Sequence, residues 1–429
     1  MSSNGLRAAA TGVTAMVDSS QEAIRILYLV GGPGNAERVD VSDLFANHLA
    51  NDGFDIDYVI FDNARTRAWE RIDWRGATAW AVGRSRLRGL AGAVVSKLYE
   101  LLADIRTAWL ALTGPYDVVQ IRDKFVVGVF ALIAARLRGR LFVYWMSYPF
   151  AESRIVDGRE GNSRYPWFSL VGGHAARFLL YRIILPFADF AFVQSEQMKK
   201  DVAAEGIAES KMMPVPMAVD ESLLDMPIGP VEPKSILYLG TLVKVRRLDT
   251  LLEALCIVHS SFPDAKLVIV GDGDVPTDRG FLEERCRELD LESHVTFTGM
   301  LPMAEALSRV SHAAVCLSPF YPIPILLSTS PTKISEYMAL GRPVVANAHP
   351  EQSQIIAESG GGLCVEWSAE EFASAIMALL GDSEEAEAMG RAGRRFVAGN
   401  RTYSVVAPKV AAKYRELVST ESVQAADGG

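Results

Sequence analysis

Cysteine is scarce in this chain: four residues in 429, at Cys256, Cys286, Cys316 and Cys364. No two of them have a metal-ligand spacing, so neither a zinc site nor a disulfide framework organises the fold, and reduced core thiols are expected. Long apolar runs are missing as well. The best stretch, residues 125–135, is about half of the roughly 20 residues that a membrane span requires. Residues 1–22 (MSSNGLRAAATGVTAMVDSSQE) lack an apolar core and read as a flexible extension, not a signal peptide. A surplus of positive charge is also absent. The net charge of −9 argues against general nucleic-acid binding. A cytoplasmic protein is expected, one able to touch the inner face of the plasma membrane without crossing it.

What is present points to two α/β domains. Hydrophobic residues make up 49% and charged residues 22%, and 429 residues exceed one ordinary core. Charge is unevenly placed: residues 64–182 carry 19 Lys/Arg against 9 Asp/Glu, leaving −19 for the rest. A basic region in an acidic protein suits an anionic partner. Within it, residues 84–112, 126–140 and 177–187 are helical, apolar and rich in arginine. Together they form either a basic amphipathic face for anionic lipid or core helices with solvated arginines.

In order along the chain, residues 24–30 (IRILYLV) read as a strand buried on both faces, followed by Gly31-Gly32-Pro33-Gly34. A helix carrying Val41, Leu44, Phe45 and Leu49 comes next. Strand, glycine loop and helix open a doubly wound domain whose ligands bind at the carboxyl edge of the sheet. Further strands are expected at 54–61, 116–121, 141–146, 189–195 and 212–217. Proline-rich residues 221–234 read as a linker between domains at 23–220 and 235–400. The second domain repeats the pattern, with strands at 235–242, 265–270, 294–297 and 313–317. Residues 401–418 form a closing helix, and 419–429 a flexible tail. Two such domains joined by a hinge create a cleft for a ligand.

The most informative stretch runs from 318 to 347. A proline-rich loop ends at Ser330-Pro331-Thr332-Lys333, a short helix follows, and Gly341-Arg342-Pro343 closes it. Ser330 suits the N-cap and Pro331 the first helical position, while Gly341 can adopt the left-handed conformation that ends a helix. The helix N-terminus then forms an anion site. Lys333 in the first turn opposes the helix dipole unless a phosphate sits there. Glu336, one turn on, can accept hydrogen bonds from a sugar hydroxyl.

On these residues the chain resembles the retaining glycosyltransferases of family four, over roughly residues 24–417 and most strongly over 235–347. The resemblance implies a GT-B fold, two Rossmann-like α/β domains facing across a cleft. In that family a Gly-Arg followed five residues later by Lys grips the donor diphosphate. Here Gly240-Thr241 stands at the first position and Arg246 at the second, with Arg247 beside it. Two guanidiniums can still clamp a diphosphate. The family's second landmark is a pair of glutamates. Glu336 matches the one that binds the ribose, and Ser328 replaces the one that contacts the sugar. Neutral groups at Ser328, Thr329 and Ser330 are therefore expected on the sugar, with the turn at Pro331, Thr332 and Lys333 facing phosphate. Gly271, Gly299, Met300 and Leu301 resemble the loops beside the nucleotide, and Gly31 and Gly32 the loop across the cleft. Ser147 and Tyr148 occupy the place of a family histidine.

The resemblance implies transfer of a sugar from a UDP- or GDP-sugar, with retention, to a saccharide or lipid-linked acceptor in surface polysaccharide or glycoconjugate synthesis. Arg246, Lys333 and Glu336 are the candidate catalytic residues. No cofactor or metal is expected, because the cations and helix dipole stabilise the departing diphosphate. The alternatives are a degenerate homologue that binds nucleotide sugar or serves as a partner subunit, and a GT-B nucleotide-sugar epimerase.

Overall fold

The computed structural model describes residues 23–427 except Gly34, Arg88, Asn162, Arg164 and Asp274. The expected N-terminal extension lies outside the described residues. The first apolar run forms β1 (Ile24–Pro33), which lies in the middle of an eight-stranded sheet. Its partners are β2 (Phe54–Phe61), β3 (Glu70–Trp74), β4 (Ala77–Val82), β5 (Val118–Arg122), β6 (Leu141–Met146), β7 (Phe190–Val193) and β8 (Met212–Pro214). The order is β3-β4-β2-β1-β5-β6-β7-β8, parallel except for the β3–β4 hairpin. Sequence reading missed this hairpin. Its outer strand β3 is a half-exposed edge with no continuous apolar run, and the chain turns at Arg75 (φ 55°) and Gly76 (φ 81°) into the more buried β4.

Helices cover both faces of this sheet. On one face α1 (Gly89–Thr113) and α2 (Val126–Leu137) share a core with Leu27, Leu29 and Val119. After β6 come α3 (Phe150–Arg159), α4 (Pro166–Phe178) and, beyond β7, α5 (Glu196–Ala204). Helix α4 continues through a π-helical turn to Phe187, giving a 22-residue run long and apolar enough to cross a membrane by length and composition alone. Arg177 and Arg182 hid that run from a search for uncharged stretches. The helix expected after β1 is broken: Val39–Ser42 is followed by a π-helical turn, Leu44–Leu49. There Asn47 and His48 both donate their N–H to the Asp43 carbonyl (3.2 and 2.9 Å).

The second sheet is fully parallel, in the order β11-β10-β9-β12-β13-β14. Its strands are β9 (Ser235–Leu239), β10 (Lys266–Val270), β11 (Val295–Gly299), β12 (Val315–Ser318), β13 (Val344–Asn347) and β14 (Gly362–Val365). The helices that matter for the site are α6 (Asp249–Val258), α7 (Thr332–Ala339) and α8 (Pro350–Ser359). The chain order reverses at β9, so ligands are expected at the carboxyl ends of β9 and its neighbours.

Two crossings join the domains. Val219 pairs with Thr402, its N–H donating to the Arg401 carbonyl (2.8 Å) and its carbonyl accepting from Tyr403 N–H (3.1 Å). Beside them the buried Arg401 guanidinium reaches Glu351 (2.5 Å). The last helix, α9 (Tyr403–Asp427), lies on the first domain, with Tyr403, Val410 and Tyr414 in one core with Tyr28 and Phe45. It runs through residues expected as a flexible tail, nine positions past the expected end at 418.

Candidate functional site

The carboxyl edge of the second sheet is shaped by glycines that leave no room for a side chain. A Cβ at Gly240, just after β9, would lie 2.4 Å from Lys333 Cε and 2.7 Å from the Tyr238 hydroxyl. Gly240 therefore lets the Lys333 side chain cross the end of the strand. At Gly271 (φ 132°) a Cβ would lie 2.0 Å from the Gly240 carbonyl oxygen. Gly271 N–H donates to the Gly299 carbonyl (3.1 Å), tying the loop after β10 to the end of β11.

Helix α7 begins differently from expectation. Pro331, not Ser330, occupies the N-cap position, Thr332 is the first helical residue, and no side chain caps the turn. The Ser330 hydroxyl is used elsewhere, accepting from Met217 N–H (2.9 Å) and donating to Glu351 (2.7 Å). First-turn donors thus remain without a capping side chain. Lys333 is half-buried there and makes no hydrogen bond or ion pair among the described residues. Burial, with the charge of Arg246 adding to it, pushes its ammonium down to about 8. Burial also pushes the Glu336 carboxyl up, and Lys333 only partly offsets this.

The adjacent guanidiniums of Arg246 and Arg247 part company. Arg246 Nε donates to the Thr241 hydroxyl (3.0 Å), and the group lies over the Phe320 ring, 5.4 Å from its centroid. Phe320 is itself fixed, because the Asn347 side chain bonds its N–H (2.7 Å) and its carbonyl (2.8 Å). The Nη1 of Arg246 is buried without a hydrogen-bond partner. Arg247 instead sits at φ 49° and donates from Nε and Nη2 to Asp249 (3.1 and 3.0 Å), at the start of α6. The expected two-arginine clamp is thereby corrected: one guanidinium is free for an anion, and the other is spent on a carboxylate. Thr241, at the position usual for Arg, aims Arg246.

The serine-threonine run is also committed internally. Ser328 donates to Asp201 of α5 and accepts at its carbonyl from Ser195 (2.7 Å); Thr329 donates to the Leu326 carbonyl (2.7 Å). All three hydroxyls at 328–330 are buried and bonded, so the expectation that they bind sugar hydroxyls is corrected. Ser328 and Ser330 fasten the domains together, while Thr329 closes its own turn. Met300 is 76% exposed beyond Gly299, with Leu301 half-buried next to it. Asp272, Gly273 and Arg279 line a hollow of about 270 Å³ on this side.

Across the cleft, Gly31 and Gly32 form the end of β1. A Cβ at Gly31 would meet the Arg122 carbonyl at 2.6 Å, and Gly32 has φ 84°. Asp123 (φ 54°) accepts from Ser147 N–H (2.9 Å) and from the Ser147 hydroxyl. Tyr148 lies close enough to Arg246 to feel its charge, although burial, with the charge of Asp157 adding to it, raises its phenol. Arg38 likewise bears on Lys333.

Sequence reasoning missed Arg38, the Glu351–Arg401 pair and His349. Burial pushes His349 down to about 4. Neutral at ordinary pH, its ring accepts from Glu351 N–H and Gln352 N–H (3.2 and 3.4 Å) and bonds the Leu326 carbonyl (3.0 Å). The only signal was its place before Pro350 at a helix start. His174 lies on α4, in a separate cavity.

The family described as glycosyl transferases group 1 matches residues 228–396, and the glycosyl transferase 4-like domain matches residues 41–218. The chain belongs to the family-four glycosyltransferases, with the GT-B fold. It is similar to the GDP-mannose-dependent alpha-(1-6)-phosphatidylinositol monomannoside mannosyltransferase of Mycobacterium tuberculosis. The two are 27% identical over 357 residues, which is 79% of this chain and 86% of that one. Sucrose-phosphate synthase from Thermosynechococcus elongatus superposes with a TM-score of 0.68 at 18% identity, over 92% of this chain and all of that one. Anabaena HepE, solved with UDP and glucose, gives 0.66 at 14% identity, over 91% and 99%.

Proposed function

We propose that this glycosyltransferase moves a sugar from a nucleoside-diphosphate sugar to a lipid-linked acceptor at a membrane surface, with retention of configuration and without a metal. The carrying observation is an unanswered cluster of cations. Arg246 Nη1 is buried and unpartnered, and Lys333 is half-buried without a carboxylate bonded to it. Such a site is stable only at a cost, which a diphosphate relieves. Arg246, Lys333 and the uncapped start of α7 would take up charge as the sugar C1–O bond to phosphate breaks. The acceptor oxygen then bonds to C1 on the same face, and its proton passes to the departing phosphate oxygen. Glu336 would accept hydrogen bonds from the ribose, as the family resemblance implies. Closure about the 219/402 hinge excludes water.

The lipid half of the reading rests on the outer surface of α1, α2 and α4. Val94, Leu98, Ile105 and Trp109 form an exposed stripe on α1, and Val126, Phe130, Ile133 and Leu137 another on α2, each more than half exposed. Trp167 and Phe168 on α4 are 72% and 74% exposed. Helices apolar on the core side and again on the solvent side suit a hydrocarbon boundary, and the +10 region surrounds them. The phosphatidylinositol-linked acceptor in the name of the mycobacterial relative agrees.

The test begins with thermal shift by UDP, GDP and ADP sugars, with and without Mg²⁺. It continues with transfer of labelled sugar into solvent-extractable lipid on anionic vesicles, the product anomer being read by NMR. A stabilising donor, labelled lipid and a retained anomer are expected. Binding without transfer to any acceptor would favour the degenerate-homologue reading.

A further inference from the structure

A second concavity lies between the domains, lined by α3 and α5 on one side and residues 323–328 on the other. It encloses about 700 Å³, well within the range of ligand sites, and its walls are mainly apolar: Ile155, Val156, Met198, Val202, Ile325 and Leu327. One end touches Met146, the last residue of β6, and Ser328, two residues short of the loop that opens α7. The other end passes His174, Arg177, Tyr181 and Glu205, which it shares with a smaller hollow reaching Phe178 and Arg182. Phe178 is 59% exposed and belongs to the apolar outer surface of α4. A passage thus runs from that surface to the end of β6, at the rim of the donor cleft. Along it, Glu152 keeps one carboxylate oxygen buried with no hydrogen-bond partner, while its other oxygen faces Arg177 Nε (3.7 Å). Nothing in the transfer chemistry derived above uses this space.

We propose that the passage holds the apolar chain of the acceptor, led from the membrane past Phe178 to the cleft, with Glu152 accepting a hydrogen bond from a hydroxyl near the junction of chain and head group. The inference rests on the lipid-acceptor reading. Because the walls come from both domains, the chain would be gripped only when the cleft is closed, coupling acceptor binding to donor enclosure.

The probe is a dodecyl β-glucoside carrying a diazirine on its chain, used below its micelle concentration and irradiated with the full chain and donor nucleotide. Crosslinks are expected in residues 150–159, 196–204 and 323–328. Val156→Trp and Leu327→Trp, on opposite half-buried walls, should each cut that labelling by about tenfold by filling the space. Both should keep the nucleotide thermal shift, which reports that they fold. Crosslinks confined to the outer faces of α1 and α2, or unchanged cavity labelling in both variants, overturn the proposal. Cavity labelling by the intact protein, lost in both variants, supports it even if no lipid accepts sugar; that last result strikes only the acceptor reading.

Discussion

The two edges of the cleft treat charge in opposite ways. On the first domain, Arg122 is fully buried and its Nη1 stands 2.5 Å from Asp40, which Arg38 also approaches (3.4 Å). Burial pushes the Asp40 carboxyl up, yet the two guanidiniums override it and hold it below its ordinary range. On the second domain, no carboxylate among the described residues is bonded to Arg246 or Lys333. Charge matched internally builds the wall of a cleft, whereas charge left unmatched invites a ligand. The comparison separates stability from chemistry and can be tested one residue at a time.

The largest effect is expected where the charge is matched. Asp40→Ala leaves the buried Arg122 with only the longer Asp123 contact (3.4 Å) and should cost about 3 kcal/mol of stability, the low end for a broken buried pair. Denaturant unfolding would register the loss, while the fraction still folded should bind donor nucleotide normally. A small loss of stability with a large loss of binding would place Asp40 in the ligand site instead.

Next comes the unmatched edge. Arg246→Ala should lower kcat/KM by about 10²–10³, the usual consequence of removing one donor aimed at developing charge. Its melting temperature without ligand should hold or rise, because a cation beside Lys333 has gone. Steady-state rates and a thermal melt on the same preparation decide it, and an unchanged rate would sink the assignment.

A smaller effect follows from Lys333, whose pKa in the fold, about 8, lies below its ordinary 10.5. A depressed lysine is penalised in its charged form, so the ligand-free fold carries that penalty below pH 8 and sheds it as pH rises toward 10.5. Donor binding needs the charged form and should weaken by up to about tenfold per pH unit above 8. Titration calorimetry from pH 7 to 10 should therefore find stability and affinity moving in opposite directions. Lys333→Arg should flatten both.

This division also explains what the sequence could reveal. Strands β2 and β6 were legible to the residue: β6 is a continuous apolar run buried on both faces, and β2 alternates Phe54, Ile56 and Tyr58 with Asp55 and Asp57 before its apolar end. The cationic cluster was legible because Lys333 opposes the dipole of its own helix. Which hydroxyls and guanidiniums were already spoken for was not. Ser328 meets Asp201 across 127 positions, and Ser330 meets Met217 across 113. Such partners are set by how two domains dock, and no local pattern announces them. The β3–β4 hairpin stayed hidden for another reason: β3 is a half-exposed edge that alternates charged and apolar residues, and the apolar part of β4 is only four residues long.

Arg246 and Arg247 sharpen the comparison to neighbouring residues of one type. Arg247 is half exposed, its fork already closed on Asp249. Asp249 lies in the first turn of α6, where a carboxylate is favourable with or without its arginine. Arg247→Ala should then weaken donor binding by less than about threefold and cost about 1 kcal/mol, since the guanidinium is half exposed and the helix start still favours the buried Asp249 carboxylate. A thermal-shift titration with the preferred nucleotide, run beside Arg246→Ala, gives both numbers. If the two substitutions proved equally damaging, the Arg247–Asp249 pair would have to open on donor binding. The second edge would then hold a reserve of charge that the closed fork conceals.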